Sequence, residues 1–176
     1  MKPKKLIVSY DSYSWIKYCS GMIIQNPKQF AIIIVSEDNI DSILDCKNLC
    51  KESIYAQRTK DLYDIGICLG VPEITNLGYI NESDLNRIVA QLQIKIIMGG
   101  ISEVYYQNNK LLYSIFTAMK KKVSIPLYYY TLGGSTEIEL SLDEYMKKNS
   151  LVKYIIGNRN KDEISGFQKI EKFNRI

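Results

Sequence analysis

The sequence predicts a single three-layer α/β domain with a mostly parallel, Rossmann-like sheet. Three observations carry this. Short apolar runs alternate with amphipathic stretches along the chain, the pattern of strand–helix–strand units. The run at 30–35 (FAIIIV) is continuously apolar and rich in β-branched residues, as a strand buried on both faces must be. The first run, at 6–8, turns polar at Ser9, Tyr10, Asp11 and Ser12, just where a helical pattern starts. In a parallel sheet the carboxyl ends of the strands open on the ligand crevice, so Asp11, Ser12 and Ser14 are expected at the mouth of a site.

Taken in order, residues 6–10 read as a first strand. Trp15, Ile16, Cys19, Met22 and Ile23 then recur at helical spacing over 13–24. Asn26 and Pro27 break that helix. The buried strand at 30–35 ends in Ser36, Glu37, Asp38 and Asn39, a second polar exit. A short helix is placed within 39–48. Ile54, Leu62, Ile65 and Leu69 mark one face of a long helix over 51–69, stopped by Gly70 and Pro72. A short strand follows at 73–77. Asn81 or Ser83 is the expected cap of a helix bearing Leu85, Ile88, Val89 and Leu92. Residues 94–98 read as the next buried strand, closed by Gly99 and Gly100, with a polar loop over 102–109. Leu111, Leu112, Ile115, Phe116 and Met119 predict a further helix, and 125–131 a strand before a turn at Gly133 and Gly134. Late strands are expected at 138–140 and 152–156, with a short helix over 142–148 between them. The domain is drawn as 1–157, and 158–176 as a polar tail, loosely held.

Composition excludes whole classes of chemistry. The chain of 176 residues contains no histidine. That removes histidine acid–base catalysis, Ser-His and Cys-His pairs, and histidine-held zinc. No apolar run reaches the roughly 20 residues that cross a bilayer, and the N-terminal MKPKK carries no signal-type apolar segment. A cytoplasmic protein is expected, with no membrane partner and with Cys19, Cys46, Cys50 and Cys68 as reduced thiols. A net charge of +4, with lysines gathered at Lys120, Lys121 and Lys122 and after Lys161, lacks the dense basic patch of a nucleic-acid site. Neither GxGxxG nor GxxxxGK[ST] occurs, so both standard phosphate-binding fingerprints are absent.

The strand exits, read in sequence, resemble the LmbE/PIG-L family of zinc-dependent N-acetylglucosamine deacetylases. The family opens with a strand, then HPDDE, then a glycine-containing helix; here the stretch is DSYSW, with Gly21 in the helix. The second exit, Ser36-Glu37-Asp38, stands where the family has a T-D-G-like triplet. Arg58-Thr59-Lys60-Asp61 followed by Leu69-Gly70-Val71 matches the family's R-x-x-E and LGV with the same spacing. Leu77 and the stretch 95–98 take the places of a leucine and a PDVV-type strand. Tyr106-Gln107-Asn108-Asn109 takes the place of HPDH, and LYYYT and ELSLDEYMKK fall where the family has an aromatic strand and a D-[IV]-S…KK segment. The resemblance spans about 6–156 and implies the family's fold.

The departures bear on function. In the family, zinc is held by the first histidine and second aspartate of HPDDE and by the last histidine of HPDH. These positions are Asp11, Ser14 and Asn109 here; the family's general base becomes Tyr13, and its late histidine near 152–155 is missing. Ser and Asn are poor zinc ligands. The resemblance therefore implies the fold without its metal, without a cofactor, and without zinc-dependent deacetylation.

Three readings stay open. In the first, the chain is a degenerate homologue whose former crevice binds a carbohydrate or nucleotide-like ligand through Asp11, Ser12, Ser14, Ser36, Arg58, Gln107, Asn108 and Asn109, short polar groups suited to hydroxyls. The plainer alternative for these residues is strand-end and helix-cap chemistry. In the second, Asp11, Glu37 and Asp38 converge to serve a re-tooled carbohydrate- or nucleotide-sugar-active enzyme, as a general base or as ligands of a hard cation. In the third, the 14 tyrosines make an interaction module or homo-oligomer, against the plainer reading of Tyr128–Tyr130 as a strand with alternate faces buried. Arg58 lies close to the buried side of its helix and is expected to pair with Asp61 or Asp11.

Overall fold

The structure is a computed structural model describing residues 2–11, 14–36, 51–79, 85–131, 136–141, 143–144, 146–147, 150 and 170–175. Among these residues the strands are β1 (Lys5–Ser9), β2 (Phe30–Ser36), β3 (Glu73–Tyr79), β4 (Glu103–Gln107), β5 (Leu127–Thr131), β6 (Thr136–Glu139) and β7 (Ile170–Arg175). They form one sheet in the order β3-β2-β1-β4-β5-β7-β6. The first five are mutually parallel. β7 runs antiparallel to both β5 and β6. The helices are α1 (Ser14–Gln25), α2 (Lys51–Leu69), α3 (Leu85–Gly99) and α4 (Lys110–Lys120).

Side-chain alternation along each strand divides the core in two. Ile7, Phe30, Ile32, Ile34 and Tyr105 pack with Trp15, Ile16, Cys19 and Ile23 of α1 and Leu62, Ile65 and Leu69 of α2. Leu6, Val8, Ala31, Ile33, Val104 and Tyr106 face Ile88, Leu92 and Ile96 of α3 and Leu112, Ile115, Phe116 and Met119 of α4. Two helices on each face make the three layers that the sequence predicts. Every residue of β2 is buried. At about 1.5–3 kcal/mol for each large apolar side chain, this strand contributes heavily to stability.

The switch of helices from one face to the other fixes the topology. The chain proceeds β1, β2, β3 to one side, then returns to place β4 and β5 on the other side of β1. Right-handed crossovers require the helices to change faces at that reversal. Both α2 and α3 end in a left-handed glycine, Gly70 (φ 73°) and Gly100 (φ 65°). In each case the next N–H reaches back five residues, Val71 to the Gly66 carbonyl and Ile101 to the Ile96 carbonyl. This is the Schellman cap that the Gly-apolar pairs in the sequence specify.

Three expectations are corrected. Residues 94–98 are the last turns of α3, not a strand. Helical periodicity continues from Ile88 through Leu92 to Ile96, and only that stripe is buried. The predicted polar loop contains β4, whose Val104, Tyr105 and Tyr106 are buried; the two tyrosine hydroxyls disguise an apolar strand. The polar stretch after Gly157 is not loosely held at its end. Ile170–Arg175 is β7, paired on both sides, with Phe173 1% and Glu171 3% exposed. The predicted helix at 39–48, the cap at Asn81 or Ser83, the turn at Gly133-Gly134 and the strand at 152–156 lie outside the described residues.

Glu171 shows what holds β7 against α1. Its carboxylate accepts the backbone N–H groups of Gly21 (2.6 Å) and Met22 (2.8 Å). A Cβ on Gly21 would stand 2.3 Å from Leu140 Cδ2 and 2.8 Å from Glu171 Oε1. Only glycine permits that approach.

Candidate functional site

The reversal of strand order falls between β1 and β4, and the carboxyl ends of these two strands meet there. Open α/β sheets bind ligands at such a switch point. Ser9 ends β1, Gln107 ends β4, and α1 begins at Ser14.

Gln107 is the hub. Its carbonyl oxygen accepts the Tyr10 N–H at 2.7 Å and the Ser9 hydroxyl at 3.2 Å, with the Asp11 N–H at 3.4 Å. Its amide nitrogen donates to Asp11 Oδ2 at 2.8 Å and Ser14 Oγ at 3.1 Å. Backbone donors on one side and a carboxylate on the other fix which way the amide points, and its hydrogen-bonding capacity is filled. Asp11 also accepts the Ser14 N–H (2.7 Å) and hydroxyl (2.5 Å). The carboxylate thus receives one of the free N–H groups at the start of α1, where negative charge is favoured.

The network extends away from the edge through Ser9. Tyr130, 1% exposed, donates its hydroxyl to Ser9 Oγ at 3.0 Å. Burial pushes the Tyr130 phenol well above its ordinary pKa, and the Ser9 bond opposes this only in part. A continuous chain of hydrogen bonds therefore joins Tyr130, Ser9, Gln107, Asp11 and Ser14 across three strands and a helix start.

The structure brings together three of the predicted side chains, Asp11, Ser14 and Gln107. Ser36 joins them through its backbone N–H, which donates to the Tyr10 carbonyl at 2.8 Å. Asn108 is exposed on the loop after β4. Asn109 caps α4: its side-chain oxygen accepts the N–H of Leu111 (2.9 Å) and Leu112 (3.4 Å). Arg58 sits on α2, and its expected ion pair falls outside the described residues, as do Ser12, Glu37 and Asp38. Sequence reasoning missed Ser9 and Tyr130 as members of the network. Ser9, the first polar residue of the strand exit, was the available signal; nothing local marks Tyr130.

No protein-family model matches the chain, and no curated protein matches it. Solved structures do. The N,N'-diacetylchitobiose deacetylase of Pyrococcus horikoshii superposes with a TM-score of 0.71 at 13% identity, over 98% of this chain and 84% of that one. A deacetylase solved with teicoplanin, from the teicoplanin biosynthetic pathway, gives 0.67 at 10% identity over 98% of each chain. The 4-carboxy-2-hydroxymuconate hydratase of Pseudomonas putida gives 0.64 at 12% identity, over 100% of this chain and 96% of that one. Together with the mostly parallel sheet, its switch point and the paired exits of β1 and β4, these likenesses show that the chain shares the α/β fold of these enzymes, the LmbE/PIG-L fold.

Proposed function

We propose that the chain is a degenerate de-N-acetylase homologue that works without zinc and binds a carbohydrate or nucleotide-like ligand at the β1/β4 switch point. The observation that carries this reading is the Gln107-centred network. At the positions where the family places its zinc ligands, this chain has a carboxylate, a hydroxyl and a side-chain amide. The carboxylate of Asp11 is taken up by Ser14 and Gln107. The amide oxygen of Asn109 is taken up by the first turn of α4. Among the described residues no group of three or more Cys, Asp or Glu side chains gathers as a metal site. A catalytic zinc site takes about three protein ligands from Cys, His and carboxylates, and this donor set does not fit it.

What remains open is exposed Asn108 at the rim of this polar edge, whose side-chain amide can both donate to and accept from a hydroxyl-rich molecule. No helix among the described residues is long and apolar enough to cross a membrane, and buried Cys19 and exposed Cys68 are both free thiols. Both facts accord with work in the cytoplasm. A re-tooled enzyme is the second reading, favoured by the hydratase that shares the fold.

A thermal-shift screen of amino sugars, nucleotides and nucleotide sugars tests the proposal. One of these classes is expected to raise the melting temperature, with the gain reduced in Asn108→Ala, whose rim position leaves the fold intact. A flat response to every class at millimolar concentration would overturn the ligand-binding reading. Turnover of a stabilising ligand would select the enzyme.

A further inference from the structure

The solvent side of α3 carries an apolar stripe as well as its core side. Ile88, Leu92 and Ile96 point into the core, while Ile94, Ile97 and Met98 are 58%, 67% and 79% exposed. Helical geometry puts these three within one stripe, opposite the buried one. The stripe extends toward the amino end through exposed Ala90 and Arg87. The spacing of Arg87, Ala90, Ile94 and Ile97 is three, four, three, the seam of a helix that packs against another helix. A second apolar stripe on a helix is normally covered as the first is. Among the described residues only the stripe of Ile88, Leu92 and Ile96 is covered.

We infer that this stripe docks a second copy of the chain, α3 against α3, antiparallel about a two-fold axis near Ile94. Self-complementarity selects this occupant. A two-fold contact brings the same patch to itself, and an antiparallel crossing matches Ala90 with the Ile97–Met98 end of the other helix. The seam's one charged member, Arg87, then lies beside the carboxyl end of the other α3, the negative end of its dipole. Ile94, Ile97 and Met98 together expose roughly 400 Å², as large as the patches that are commonly functional on monomers. Doubling by symmetry gives on the order of 800 Å² before the polar rim is counted, which suits a weak, reversible dimer. Lys95, beside the stripe, is held to Glu73 of β3, so its charge is turned toward the sheet and away from the seam.

Sedimentation velocity on the full chain from about 1 μM to about 1 mM, the range a contact of this size spans, tests the inference. The expected result is a shift from monomer to dimer across that range. Ile97→Asp should remain monomeric at every concentration with an unchanged circular dichroism spectrum and melting temperature, because Ile97 is exposed in the single copy. In a background with Cys46, Cys50 and Cys68 changed to serine, Ile94→Cys should form an oxidant-dependent cross-linked dimer, since the axis brings the residue to itself. A monomer at about 1 mM would overturn the inference and leave the stripe to a foreign partner or to another segment of the chain. A dimer that persists in Ile97→Asp would overturn it in favour of a different face.

Discussion

Gln107 owes its importance to having a donor and an acceptor on one short planar group. The acceptor meets backbone N–H groups of the β1 exit, and the donor meets Asp11 and Ser14. Gln107→Leu removes both, strands the Tyr10 N–H and takes one donor from the Asp11 carboxylate, which keeps its bonds to Ser14. The expected cost is about 2 kcal/mol, read as a lower urea midpoint. Gln107→Glu distinguishes a polar network from mere packing. It keeps the acceptor but sets a second carboxylate against Asp11. Like charges at that distance raise a carboxyl pKa in the folded state above its unfolded value. The variant should therefore be destabilised at pH 7 and regain stability as pH falls toward 5, the reverse of ordinary acid denaturation. A flat difference between wild type and Gln107→Glu over that interval would contradict the network. At this scale much of the hydrogen-bonded cluster was legible: Asp11 and Gln107 stand at strand exits, where polar residues follow apolar runs, and Ser14 at the helix start. Tyr130 was not, because its partner Ser9 is 121 residues away in sequence and its own neighbours are two more tyrosines.

Elements are held in place by a few close approaches. Gly21 lets Leu140 and Glu171 press on α1, and its N–H completes the carboxylate's bonds. Gly21→Ala is expected to lose about 2–3 kcal/mol by overpacking, seen as a lower melting temperature. A neutral result would mean that α1 does not contact this layer as closely as described. A second local device is the Ser-x-x-Glu box at Ser141 and Glu144, where each side chain answers the other's backbone N–H. The Ser141 N–H holds the Glu144 carboxyl below its ordinary value. Each element that sequence misassigned has its own cause. Residues 94–98 read as a doubly buried strand because α3 carries apolar residues on two faces. β4 read as a loop because its buried positions are tyrosines. β7 was invisible because the residue pointing at α1 is a glutamate, acceptable there because two helix N–H groups receive it.

Across the whole molecule, the order of strands turns a linear chain into a site. Exits of β1 and β4, nearly 100 residues apart, meet because the chain reverses direction at β1. Alternation and crossover handedness made this architecture predictable; the antiparallel β7 was not, since long-range pairing leaves little local trace. The tyrosines give a global readout of the packed state. Burial pushes the phenols of Tyr105, Tyr106 and Tyr130 above their ordinary value of 10. Folded pKa values above unfolded ones mean that stability is intact below pH 10 and is lost as pH rises beyond it. These three phenols should then ionise only as the protein unfolds, a late rise in tyrosinate absorbance that coincides with the loss of circular dichroism. One smooth titration would contradict their burial. The proposal that a hydrogen-bonded cluster stands here in place of a metal site is tested most directly by zinc content. Protein dialysed against zinc and then against buffer should retain far less than one zinc per chain by elemental analysis. One tightly held zinc per chain, lost on Asp11→Ala, would contradict it.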